Sequence, residues 1–428
     1  METDSLKSEN EKTMKNILGN TQIEKAINIK SEKSLKFFYQ KFLIITAFLI
    51  YLILVFLFCT KLYSNKSINR KTEEEINSTK FTFDPQKLDN IEQYLKTLTP
   101  KSSYKGPIFP DDGKITIDWM LDLINFMKDL ENQKTFEEKY IDKVYFLKML
   151  SKAKEIFNEQ EEALIDIDIP YGKNFTVVGD IHGQFYDLVH IFEINGYPSK
   201  DNYYLFNGDF VDRGFFGLEC LTTLIGFKIL YPEYFFISRG NHEDKSMNAR
   251  YGFRIELFNK YDDEIVIDCI TEFYKFLPLG HILDKEVLVV HGGLFSQDGV
   301  TLDELKKINR FQDVPNNGLM CEILWSDPCE ENGVTPSPRG AGVLFGPDVT
   351  KKFLKENNLS LLIRSHEVRM EGYQIEPGGQ VITVFSAPNY CDEAGNKGGL
   401  IKFHGGYMAN PIFIKFDASP HPDFYLNK

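Results

Sequence analysis

The chain has 428 residues, with 49 Lys and Arg against 62 Asp and Glu for a net charge of −13, and the apolar content of an ordinary globular protein. That length allows one large domain and a smaller N-terminal region. The first hundred residues carry 15 Lys and Arg against 12 Asp and Glu, leaving −16 on residues 101–428. A surface this acidic excludes nucleic acid as the main partner, because binding a phosphate backbone needs a basic face.

Residues 1–41 are polar, rich in Lys, Glu, Asn and Ser, and read as a disordered segment. Residues 42–60 are 19 uncharged residues between Lys41 and Lys61. As a helix they would extend about 28 Å, close to the roughly 30 Å hydrocarbon core, so they predict a single transmembrane helix. A core helix would show a polar face, and a signal peptide would start nearer Met1 with a shorter apolar run. Residues 61–103 are polar and punctuated by Pro85 and Pro100, which reads as a linker with one short helix around 88–98. Residues 22–41 and 61–80 each carry five Lys or Arg, so the positive-inside comparison is tied. The six cysteines (59, 220, 269, 321, 329, 391) include no Cys-x-x-Cys pair and read as reduced thiols, which places the remainder of this single-pass protein in the cytosol.

Further along, Ile117, Met120, Leu121, Ile124 and Met127 fall at helical spacing, as do Tyr140, Val144, Leu147 and Leu150; both stretches predict helices that cap a sheet. Three apolar runs follow, each closed by Gly and a polar cluster: 175–178 before Gly-Asp-Ile-His-Gly-Gln, 203–207 before Gly-Asp-Phe-Val-Asp-Arg-Gly, and 234–239 before Gly-Asn-His-Glu. Short β-branched and aromatic runs ending at Gly are buried strands ending in tight turns. Their spacing of about 30 residues leaves room for a returning helix, as in βαβ units, so all three clusters face one sheet edge. Residues 287–290 repeat the device before His291, and 361–365 before His366. A helical region is predicted near 254–276, a helix end at 303–307, a long loop at 316–338, and strands at 380–385 and 400–403.

Five strand ends therefore converge on Asp180, His182, Asp209, Asn241, His291 and His366. Carboxylate and amide oxygens mixed with imidazoles suit a pair of borderline divalent metals better than a structural zinc.

These blocks, together with Asn248, Tyr251-Gly252-Phe253, Leu324-Trp325-Ser326-Asp327-Pro328, Arg339-Gly340, Arg364-Ser365-His366-Glu367 and Ser386-Ala387-Pro388-Asn389-Tyr390-Cys391, resemble the metal-dependent serine/threonine protein phosphatase (PPP) family over residues 100–428. Tyr104-Lys105-Gly106-Pro107, Asp112 to Thr116, Phe345 to Thr350 and His421-Pro422 look most like its protein phosphatase 5 subfamily. The helical-repeat domain of that subfamily has no counterpart in the pattern of the first hundred residues.

The resemblance implies an α/β metallophosphoesterase fold, a central β-sandwich flanked by helices, here preceded by the transmembrane helix, with the catalytic domain at 104–428. It implies two metal ions, Mn²⁺ or else Fe or Zn, one on Asp180, His182 and Asp209 and one on Asp209, Asn241, His291 and His366. A hydroxide shared by the metals would attack the phosphate of phosphoserine or phosphothreonine in a protein substrate. His242 would be the general acid, oriented by Asp212, while Arg213, Asn241, Arg339 and Tyr390 would bind the phosphate. Glu243 reads as structural, and His190, His281, His404 and His421 lie outside the motifs. Two alternatives remain: a weakly active phosphoprotein-binding scaffold, or a metallophosphoesterase for non-protein phosphoesters. The sequence names no regulatory partner.

Overall fold

The computed structural model describes residues 89–128 and 140–422. The chain divides into two units, Met1–Thr82 and Phe83–Lys428, and every described residue belongs to the second. The first five strands are β1 (Leu164–Ile167), β2 (Asn174–Val178), β3 (Asn202–Phe206), β4 (Phe235–Ile237) and β5 (Gly280–Leu283). Next come β6 (Val287–Val290), β7 (Asp327–Pro328), β8 (Val334–Pro336), β9 (Val343–Phe345) and β10 (Leu361–Arg364). The last four are β11 (Tyr373–Ile375), β12 (Val381–Val384), β13 (Gly398–His404) and β14 (Ile412–Phe416).

Period-two alternation builds a sandwich from two of the three sheets. In the five-stranded sheet, ordered β14-β13-β2-β3-β4, β2, β3 and β4 run parallel. Phe175, Val177, Tyr203, Leu205 and Phe236 point from it into a core shared with Leu283, Val287, Val289, Ile363, Ile382 and Val384 of the six-stranded sheet, ordered β1-β5-β6-β10-β12-β11. The intervening residues Val178, Tyr204, Phe206 and Phe235 pack outward against the helices Phe185–Asn195, Gly217–Leu230 and Lys143–Asn158. The outer face of the second sheet, through Leu164, Leu288, Val290 and Leu362, is covered by Leu305, Ile323, Leu324, Phe353 and Leu354.

Parallel neighbours require crossovers, and the helices Phe185–Asn195 and Gly217–Leu230 provide them between β2, β3 and β4. Residues 179, 207 and 238 consequently sit at one edge of one sheet, as the spacing of the polar clusters predicts. The helix Lys143–Asn158 begins at Asp142, whose side chain accepts from Val144 N, and buries Val144, Leu147 and Leu150. Tyr140 is buried just ahead of it. In the helix Ile117–Lys128, Leu123 rather than Leu121 joins Met120, Ile124 and Met127 in the core.

Two expectations are corrected. The fold was expected to carry a transmembrane helix, yet no helix among the described residues is long and apolar enough to cross a membrane. The longest helix among the described residues, Lys143–Asn158, has 16 residues and four lysines, about 24 Å where roughly 30 Å is needed. The apolar run 42–60, the segment 1–41 and the linker up to residue 88 lie outside the described residues. The transmembrane element, the membrane as a partner and the single-pass cytosolic localisation are therefore withdrawn. The second correction concerns 316–338, read as a loop: it contains the helix Leu319–Trp325, which buries Met320, Cys321, Ile323 and Leu324.

Arg310 is fully buried and donates through Nη2 to Phe157 O at 2.9 Å and to Gln160 O, and through Nη1 to Glu162 O. It thereby closes the carbonyl end of the helix Lys143–Asn158, where a cation also meets the negative end of the helix dipole. Arg310→Met is expected to lower stability by about 3 kcal/mol, since carbonyls bonded to a charged donor would be left unsatisfied. Urea unfolding checks this; an unchanged midpoint would refute it.

Candidate active site

Gly179 and Asp180 follow β2, Gly208 and Asp209 follow β3, and Gly240 and Asn241 follow β4 within a few residues. A Cβ on Gly208 would lie 2.5 Å from the backbone of Gly240, and one on Gly240 would lie 2.4 Å from Asp209 N. The two turns therefore touch backbone to backbone, which only glycine permits. From the second sheet, His291 follows β6 and His366 lies just past β10. His182, Asp209, Asp212, Arg213 and His366 all adopt positive φ, between 46° and 71°. Such residues cost on the order of 1–3 kcal/mol each and persist only where surrounding bonds hold them.

Those bonds are present. Asp209 O accepts from Ile181 N and His182 N, and the Glu243 carboxylate accepts from Asp209 N, Phe210 N and Gly240 N at 2.8–3.1 Å. Glu243 thus has the structural role read for it. Asp209 Oδ1 accepts from His242 N at 2.8 Å, and Asp180 Oδ1 from His366 N at 3.1 Å, which links the two sheets.

At the base of a cleft of about 330 Å³, five of the six metal-ligand candidates contribute to the lining, and the sixth, His291, lies buried directly behind them. His182 Nε2 lies 3.7 Å from Asp180 Oδ2 and 3.6 Å from Asp209 Oδ2. His291 Nε2 lies 3.3 Å from Asp209 Oδ2, 2.9 Å from Asn241 Oδ1 and 3.3 Å from His366 Nδ1. His182 and His291 each turn Nδ1 to a backbone carbonyl, of Val211 at 3.0 Å and Asn207 at 2.8 Å. That bond orients each ring and directs its Nε2 at the carboxylates.

The donor set fits two cations. Asp209, His182 and His242 form one group whose ligand atoms lie within 4.8 Å, and Asp209, His291 and His366 form another, so Asp209 is common to both. His242 enters the first group by distance, but its Nδ1 is held by Asp212, whereas Asp180 is a second carboxylate facing His182 beside Asp209. Asn241 Oδ1 points among Asp209, His291 and His366, all electron-pair donors; turned over, its Nδ2 would donate to them at 2.9–3.3 Å instead. Acceptors gathered so closely with few protons between them are stabilised by positive charge.

The ionisation pattern agrees. Burial pushes Asp180 up, with the neighbouring Asp209 adding to it. Burial acts on Asp209 in the same direction, but the attraction of His291, His242 and His182 holds it well below the usual carboxylate range. Burial moves His182 down to about 4 and His366 far down, while in His291 the Asp209 carboxylate overcomes burial and raises it to about 9.

Beside these, His242 Nδ1 is 2.7 Å from Asp212 Oδ2. Burial would lower His242, yet Asp209 and Asp212 outweigh it and keep its pKa raised. Asp212 also accepts from Phe253 N at 3.0 Å and Asn248 Nδ2 at 2.9 Å, and Asn248 Nδ2 donates to His242 O at 2.8 Å. Asn248, held in turn by the Tyr274 hydroxyl at 3.1 Å, steadies this pair; sequence reading quoted it within a motif without giving it a task.

Arg213 and Arg339 both line the cleft. Arg213 lies 3.9 Å over the Tyr251 ring, and Arg339 Nε donates to Asp327 Oδ2 at 2.5 Å. Asp327 is itself held by the fully buried Arg364 at 2.7 Å, so Arg339 rests on an Arg364–Asp327 support that the motif contained but did not explain. Tyr390 packs on His182 with ring centroids 5.2 Å apart. Of the other histidines, His281 is buried against Ser238 Oγ at 3.0 Å and His421 meets Asp392 at 3.0 Å, both away from the candidate ligands.

Comparison with known proteins places this geometry. The calcineurin-like phosphoesterase family matches residues 173–370. Serine/threonine-protein phosphatase 5 of Arabidopsis thaliana is 50% identical over 328 residues, covering 75% of this chain and 59% of the relative, so the chain spans less than two thirds of that protein's length. Serine/threonine-protein phosphatase T of Trypanosoma brucei brucei is 49% identical over 333 residues, covering 78% of this chain and 68% of the relative. A solved Saccharomyces cerevisiae protein serine/threonine phosphatase with similarity to human phosphatase PP5 aligns with a TM-score of 0.63 and 41% identity, over 67% of this chain and 93% of that one. With about half of the residues identical over some 330 positions, the chain belongs to the calcineurin-like metallophosphoesterases and, among them, to the serine/threonine protein phosphatase family of phosphatases 5 and T.

Proposed function

We propose that this chain is a metal-dependent phosphoprotein phosphatase that hydrolyses phosphoserine and phosphothreonine, with residues 104–428 as its catalytic domain. The observation that carries the reading is Asp209, whose carboxylate lies between His182 on one side and His291 on the other, 3.6 and 3.3 Å away. One ion would be held by Asp180, His182 and Asp209, and the second by Asp209, Asn241, His291 and His366. Mn²⁺, Fe or Zn suits this mixture of oxygen and imidazole donors. When bound, such a pair supplies Lewis-acid neutralisation of phosphoryl oxygens and a water acid enough to lose its proton near neutral pH.

The side chains supply the rest. Arg213 and Arg339 offer planar guanidinium forks suited to the remaining phosphate oxygens. Stacking on Tyr251 and pairing with Asp327 hold them in place before substrate arrives. Asn241 and Tyr390 add hydrogen bonds. A serine alkoxide leaves poorly unless protonated, and His242, its charged form favoured by Asp212, is the donor.

The test is turnover by the full-length protein after chelation and return of Mn²⁺. Phosphate release from phosphoserine and phosphothreonine peptides is expected only with metal; no release from either, with metal bound, would overturn the proposal. Asp209→Asn is expected to abolish turnover and lower metal content at both positions, measured together by phosphate release and metal analysis. Two ions retained with full activity would remove Asp209 from its shared role. His242→Asn is expected to keep its metals and lose on the order of 10² to 10⁴ in kcat on serine phosphates. The loss on aryl phosphates should be smaller, because an aryl oxide leaves without a proton; equal losses would argue against His242 as the acid.

A further inference from the structure

The backbone beyond β3 passes through Asn207, a fully buried residue absent from the cleft lining. Its Nδ2 donates to Val290 O at 2.7 Å and to Ser365 Oγ at 2.9 Å. Its own carbonyl accepts from His291 Nδ1 at 2.8 Å, and its N–H donates to Val178 O at 2.9 Å. Val290 and Ser365 immediately precede His291 and His366. One side chain from the five-stranded sheet thus grips the residues before both histidines of the six-stranded sheet. Ser365 N closes the ring by donating to His291 O at 3.0 Å.

The β6–β10 ladder pairs Leu361 with Val287 through Ile363 with Val289 and goes no further. Beyond it, the contacts just described act on the spacing of His291 and His366 together with Arg364 Nε, which donates to Gly292 O at 2.7 Å. Packing alone does not account for an amide here. Asn207 Oδ1 has no hydrogen-bond partner, a cost of about 1–3 kcal/mol that an apolar side chain of similar size would avoid. What the amide adds is direction: two donated bonds, one to each strand end, set at a fixed angle by one planar group.

We propose that Asn207 and Ser365 form a clamp that sets the spacing of His291 and His366, and so the affinity of the metal position these share with Asp209 and Asn241, leaving the Asp180 and His182 position largely unaffected. This rests on the two-ion reading above. Asn207 acts as a positioning residue and does not itself touch substrate.

The test titrates Mn²⁺ into full-length apoprotein by calorimetry, with metal content after dialysis and thermal melting in parallel. Wild type is expected to bind two ions. Asn207→Ala and Ser365→Ala are each expected to weaken one of the two by about 10- to 100-fold, the usual consequence of removing an outer support from a metal ligand. Because both changes break the same clamp, Asn207→Ala/Ser365→Ala should lose no more than Asn207→Ala alone. Unchanged affinity for both ions, equal weakening of both in step with a falling melting temperature, or additive losses would each overturn the clamp. If Asn207→Ala does not fold, Ser365→Ala, which removes only a hydroxyl, decides by whether it weakens one ion selectively. Fewer than two ions on the wild type would instead count against the two-ion reading, so the two failures are distinct.

Discussion

The constraint on which this structure depends is the crowding of electron-pair donors at one point. Two carboxylates, three imidazoles and an amide oxygen meet at the base of a cleft, several within 4 Å of one another and all buried. Left alone, such a group would spread apart or take up protons, and the opposed displacements of Asp180 upward and Asp209 downward express that tension. The surrounding chain is arranged to withstand it.

The resistance is mostly backbone. The amide hydrogens of Asp209, Phe210 and Gly240 converge on Glu243, and the carbonyls of Val211 and Asn207 take the Nδ1 protons of His182 and His291. Each bond fixes a ring or a turn in a conformation the residue would otherwise leave, which is how positive φ angles at His182, Asp209 and His366 are sustained. The cleft walls follow the same logic at longer range. Buried Arg364 holds Asp327, and Asp327 holds Arg339, so a guanidinium on an exposed loop inherits the rigidity of a strand. Arg213, also in the lining, lies on the Tyr251 ring.

The two sheets divide the work. Asp180, Asp209 and Asn241 come from the end of the five-stranded sheet, and His291 and His366 from the six-stranded one. A sandwich core of interdigitated Val, Ile, Leu and Phe sets the gap between sheets to about 10 Å. It does not by itself fix their ends to the tolerance a ligand shell requires. Polar bonds across the gap, from His366 N to Asp180 Oδ1 and from Asn207 to Val290 and Ser365, act there.

How much of this was legible in the residues differs from element to element. The strands ending near 178, 206, 237, 290 and 364 were readable because short β-branched and aromatic runs closed by turn residues have few other solutions. The candidate ligands were readable because each follows such a run directly. The helix Leu319–Trp325 was not, since five consecutive residues, Met320 to Leu324, are buried and so short a run shows no helical period. The transmembrane expectation rested on local hydropathy at 42–60, outside the described residues, and nothing in the described fold supports it. The sequence by itself determined the parallel strands, the edge at which they end and the residue types delivered there, because these follow from local periodicity and steric rules. Only the tertiary structure decided that His291 and His366 face Asp209 from a second sheet, that Asn248 steadies the Asp212–His242 pair, and that Asn207 bridges the sheets. Those contacts join residues more than 30 apart in the chain or depend on side-chain direction, and no local pattern encodes either.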